Sequence, residues 1–119
     1  MSLDAYQRTR KITELPRSTE FRLVSQITAE MISARDAGLK GAGLMAALHR
    51  NREMWSTFAS ACAAPGNALP DTLRAGIISL ALWADRFTSD VMANRESVDD
   101  LIDVNRMLLE GLAPEKMAA

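Results

Sequence analysis

The chain has 119 residues, 48% hydrophobic and 24% charged, with a net charge of −1 and one cysteine. A single domain of this size buries roughly 65% of the surface its unfolded chain exposes. The near-neutral total gives no footprint for a nucleic-acid binder, and one cysteine excludes an intramolecular disulfide. The longest apolar run, Ala75 to Ala84, is about half of what a membrane-spanning helix requires.

Abundant Ala, Leu, Ile, Val and Met, few aromatics, and Gly and Pro confined to a handful of positions predict helices rather than strands. The expected fold is an all-α, single-domain bundle of four main helices, residues 16–112. An N-terminal arm, 1–15, precedes it and a short tail, 113–119, follows. The N-terminus lacks the charged-then-apolar pattern of a signal peptide, so a cytoplasmic protein without membrane insertion is expected. Charge is uneven: residues 1–22 carry five basic and three acidic side chains, and residues 85–119 carry four and eight. The two ends attract each other weakly at most.

The arm has apolar side chains at Leu3, Tyr6, Ile12 and Leu15 with no stripe running through them, although part of it can be helical. Pro16 opens the first helix, which runs to about Ala37 with Phe21, Val24, Ile27, Thr28, Met31 and Ala34 recurring at threes and fours. Gly38 ends it, and Gly38, Gly41 and Gly43 form a helix-to-helix turn rather than a phosphate cradle, because no strand precedes them. The second helix, about Leu44 to Cys62, has the stripe Leu44, Leu48, Asn51, Trp55, Phe58 and Cys62. Pro65, Gly66 and Asn67 make a loop, and Pro70 suits the first turn of the third helix, which continues to about Asn94. Ser97 with Asp100 resembles a capping box, and Gly111 with Pro114 stops the fourth helix. Its stripe is Val98, Leu101, Ile102, Asn105, Leu108, Leu109 and Leu112.

The third helix is apolar on two sides. At about 100° per residue, Leu73, Ile77, Leu80, Ala84, Phe87 and Val91 share one stripe, and Ala75, Ile78 and Leu82 lie opposite. Such a helix needs two neighbours. The second is either a helix of this chain or an apolar segment of a partner, which makes Ile78 and Leu82 candidate partner contacts.

Asn51 and Asn105 sit on apolar stripes, where a side-chain amide must find partners. Each either ties its helix to a loop backbone or bonds a bound peptide. Arg52 and Arg106 follow on the rims, where a guanidinium bridges carboxylates or carbonyls. Of the seven methionines, Met45, Met54, Met92 and Met107 can serve the core or an adaptable binding surface.

No catalytic, cofactor or metal site is expected. His49 and Cys62, the only residues of their kinds, lie on one helix about 20 Å and about 140° apart, which suits neither a zinc site nor a nucleophilic dyad. Asp99, Asp100 and Asp103 are explained by the positive end of the helix they begin.

Ordered segments along nearly the whole chain resemble the FlaF family of flagellar biosynthesis regulators. They are Ala5-Tyr6-Gln7, Pro16-Arg17 with Glu20, Ala47-Leu48 with Asn51-Arg52 and Trp55, and Asn67 with Leu69-Pro70. Leu73-Arg74-Ala75, Ile77-Ile78-Ser79-Leu80-Ala81, Trp83, Arg86 and Thr88 come next, then Leu101-Ile102, Asn105-Arg106 and Gly111-Leu112. The resemblance implies a cytoplasmic helical protein that binds flagellin and supports its synthesis and export, as chaperone or regulator, alongside FlbT. Flagellin's amphipathic termini, unfolded before export, suit an apolar groove. The partner contacts expected on this basis are Ile78, Leu82, Arg74, Arg52 and Tyr6. The alternative is direct binding of flagellin messenger RNA through Arg8, Arg10, Lys11 and Arg17, which the overall charge does not favour.

Overall fold

A computed structural model of the chain describes residues 16–112. Four α-helices lie in that span: α1 (Pro16–Asp36), α2 (Met45–Ala63), α3 (Asp71–Met92) and α4 (Asp99–Leu112), with a short 3-10 turn at Gly41–Leu44 before α2. All four were expected, with ends that differ by one or two residues. No helix of the described residues is long and apolar enough to cross a membrane.

Helix ends follow local chemistry. At the end of α1, Gly38 takes φ +77°, its N–H bonds the Arg35 carbonyl, and the Leu39 N–H reaches back to Ala34. This paired closure requires a left-handed residue, which glycine adopts without strain. Asn94 performs the same turn after α3 at φ 61°, with Asn94 bonding Val91 and Arg95 bonding Asp90. Gly38→Ala should therefore lower stability by about 1 kcal/mol through backbone strain alone, since a Cβ there meets nothing within 4 Å. Urea denaturation measures this directly, and an unchanged midpoint would mean that the turn is not formed in solution. Before α4 the Ser97 hydroxyl accepts the Asp99 N–H at 3.1 Å, satisfying one of the free amides of the first turn.

The helices pack in two pairs, α2 on α3 and α1 on α4, and α1 also meets α2. Contact between α3 and α4 is slight. The core is built from Val24, Ile27 and Met31 of α1, Leu48, Met54 and Trp55 of α2, Ala81, Ala84 and Val91 of α3, Val98 just before α4, and Leu101 and Ile102 within it. Apart from Met54 and Ala81 these are the stripe residues, so the helical period delivers most of the core as read from sequence.

A polar chain crosses this core. The Trp55 indole N–H donates to Asn105 Oδ1 at 2.9 Å, and Asn105 Nδ2 donates to Asn51 Oδ1 at 2.8 Å and to the Thr28 hydroxyl at 3.1 Å. Thr28 in turn donates to the Val24 carbonyl at 2.6 Å. The chain joins α1, α2 and α4. The expectation that each asparagine ties its helix to a loop backbone or bonds a bound peptide is not met: both are fully buried, and Asn105 donates to Asn51. Amide groups on facing stripes pair through one bond, leaving Asn51 Nδ2 buried without a hydrogen-bond partner, and that pairing across helices is invisible within either stripe alone. The loop duty falls instead to Asn67, which donates to the Ala61 carbonyl and accepts the Leu69 N–H, both at 2.9 Å.

Candidate partner-binding groove

Helix α3 packs mainly on α2, and its buried residues are Ala81, Ala84, Thr88 and Val91. With these small and short side chains turned inward, the larger residues fall to the sides. Leu73 and Leu80, on the stripe expected to face the core, consequently stand 48% and 37% exposed. On the outward side Leu82 is 60% exposed and Ile78 is half-buried.

Because α4 barely touches α3, an apolar groove of about 650 Å³ opens between them at one end of the bundle. Its α3 wall is Leu73, Gly76, Ile77 and Leu80; Phe58 and Cys62 of α2 and Leu69 of the loop close the base. Met107, Leu108 and Gly111 of α4 form the far wall, with Glu20 of α1 at the edge. Met107 is 66% exposed, the most exposed large apolar side chain described.

Gly76 and Gly111 are the two glycines within the described α-helices, and both line this groove. A Cβ built on either meets no atom within 4 Å. Glycine inside a helix costs about 1 kcal/mol relative to alanine, and nothing within the described fold requires its smallness here. Low walls suit a visitor that approaches the helix backbones. Leu73, Ile77 and Leu80 were legible in the sequence as one stripe, whereas Gly76 carried no signal until its surroundings were seen.

The sequence-expected contacts do not converge. Arg52 clamps α2 to the later half of α3, donating to the Asp85 carbonyl and the Ser89 hydroxyl at 2.7 Å each, with Nε 3.0 Å from the Asp85 carboxylate. Arg74 stands beside the groove, donating to the Cys62 carbonyl at 3.3 Å and pairing with Asp71. Ile78 and Leu82 lie on the other side of α3, and Tyr6 falls outside the described residues. Sequence reading missed Phe58 and Leu69 as groove residues, because they gather only through tertiary packing; of the four methionines weighed for an adaptable surface, Met107 lines the groove.

Cys62 is buried on the groove floor, and burial, reinforced by the Glu20 carboxylate and opposed by Arg74, pushes its thiol above the ordinary range. The thiolate is the reactive form. Alkylation by iodoacetamide should accordingly be slower than for an unfolded thiol at neutral pH and should rise at higher pH than usual. A rate equal to that of the urea-unfolded chain would show the floor to be open. His49 is exposed, and no group of three or more His, Cys, Asp or Glu side chains among the described residues is placed to hold a metal.

The described residues thus form an all-helical domain with an open, mostly apolar groove. Residues 2–112 match the family described as flagellar protein FlaF, and the chain belongs to that family. No curated protein and no solved structure matches it. It is thus a flagellar protein.

Proposed function

We propose that this protein binds flagellin in the cytoplasm and supports its synthesis and export, with the α3–α4 groove as the docking surface and FlbT as a second partner. The observation that carries this reading is the groove itself, with exposed Leu73, Leu80 and Met107 around two open helical glycines. An amphipathic segment of an unassembled subunit has an apolar flank that such a groove covers, in the manner of a helix laid between two helices. Arg74, next to Leu73 of the groove wall, exchanges Asp71 for a partner carboxylate. Leu82 and Ile78 extend the apolar surface over the back of α3 as a secondary contact.

Titration of purified flagellin into the protein tests this. Saturable binding with a dissociation constant in about the micromolar range is expected. Absence of saturation at about a hundredfold higher concentration would overturn it.

A further inference from the structure

We infer that Asn105 is the positioning residue of the α3–α4 groove: from inside the core it fixes where α4 stands against α2 and α3, and so sets the groove's width and register. This rests on the groove being the docking surface proposed above. Met107, Leu108 and Gly111, the far wall, follow Asn105 within two turns of α4. The base and near wall belong to α2 and α3. Helix α4 packs chiefly on α1 and only slightly on α3, so the walls do not hold each other at their separation. The Asn105 amide reaches across instead. Its Oδ1 accepts the Trp55 indole N–H and its Nδ2 donates to Asn51, both on α2, while the second Nδ2 proton goes to Thr28 on α1.

The apolar side chains around it do not make that choice. Leu101, Ile102, Leu108 and Leu109 of α4 present near-equivalent aliphatic surfaces a turn to either side of Asn105, and aliphatic packing tolerates exchange of one for another. A slip of α4 by one turn, about 5.4 Å, would displace the far wall by nearly half of the roughly 12 Å between Thr72 and Leu80 on the near one. It would also bring a leucine to the place of the amide and break all three of its bonds. One amide on an otherwise apolar stripe selects register in this way. The selection costs stability, because Asn51 Nδ2 is buried without a hydrogen-bond partner. Apolar groups of similar volume would serve a core built for stability alone, so a unique position of α4 is what the amides supply.

The test is electron double resonance between nitroxides at Ala75→Cys on α3 and Arg106→Cys on α4, both exposed positions, in the full-length protein with Cys62→Ala and no flagellin present. One narrow distance is expected with Asn105 in place. A broadened or split distribution at retained helix content is expected in Asn105→Leu and in Asn105→Thr, whose hydroxyl can satisfy itself on the carbonyl four residues back as Thr28 does on Val24. Asn51→Leu removes the unpartnered donor and one bond, and should keep the narrow distance because Trp55 and Thr28 still hold the Asn105 amide. A broad distribution in the native chain or in Asn51→Leu, or an unchanged narrow distance in whichever Asn105 variant folds, would overturn the inference. So would unfolding of both Asn105 variants, which would give the amide to the stability of the bundle. These readings are independent of whether flagellin binds. In a flagellin titration, Asn105→Leu should bind about tenfold weaker if the native register falls to about a tenth of the molecules, although no groove residue has changed. Binding as tight as that of the native chain would contradict a role in docking.

Discussion

Trp55→Ala should destabilise the protein by about 3–5 kcal/mol, enough to unfold a domain whose total stability is of order 5–15 kcal/mol. The side chain is 1% exposed and meets Phe58 edge-on at 6.2 Å between ring centres. Truncation removes the largest fully buried side chain and leaves Asn105 Oδ1 without its donor. The two contributions separate experimentally. Trp55→Phe keeps much of the volume and removes the indole N–H, and should lose only about 1–3 kcal/mol, the usual consequence of orphaning a buried polar group. Guanidinium denaturation followed by far-UV circular dichroism distinguishes the two. A loss below about 1 kcal/mol for Trp55→Ala would mean that the second helix's stripe is not the core.

Gly76→Leu should weaken flagellin binding at least about tenfold, equivalent to about 1.4 kcal/mol, while leaving the fold intact. The substitution replaces a poor helix former by a good one, and its side chain projects into open space rather than into a neighbour. The melting temperature should stay level or rise. Loss of binding together with loss of helix would show instead that the glycine serves the bundle, and unchanged binding would move the docking surface elsewhere. Gly76→Ala serves as the graded control, adding one methyl group and about 0.5–1 kcal/mol of stability.

The four helices and most of the core were legible in the sequence because each signal is local. Val24, Ile27 and Met31, or Leu101 and Ile102, recur at helical spacing, and Gly38, Pro70 and Ser97 punctuate the chain where the helices turn. The rotation of α3 was not legible. Its two apolar sides announced that the helix needs two neighbours, but that Ala81, Ala84 and Thr88 are the ones buried depends on how the pair of helices packs. That rotation sends Leu73 and Leu80 to an open wall and leaves Ile78 half-buried on the opposite flank. The Asn51–Asn105 bond was hidden for the same reason, since 54 residues separate its ends. Arg52 behaved as a rim guanidinium should, bridging to a carbonyl and a carboxylate, and the bridge it makes lies within the chain.

The central claim is that the space between α3 and α4 receives a chain from outside the bundle. Methyl NMR of the full-length protein, labelled at Leu and Met, tests it most directly on titration with flagellin. Leu73, Leu80 and Met107 should shift together and saturate at one concentration. Saturable flagellin binding that leaves all three methyl signals in place would contradict the claim.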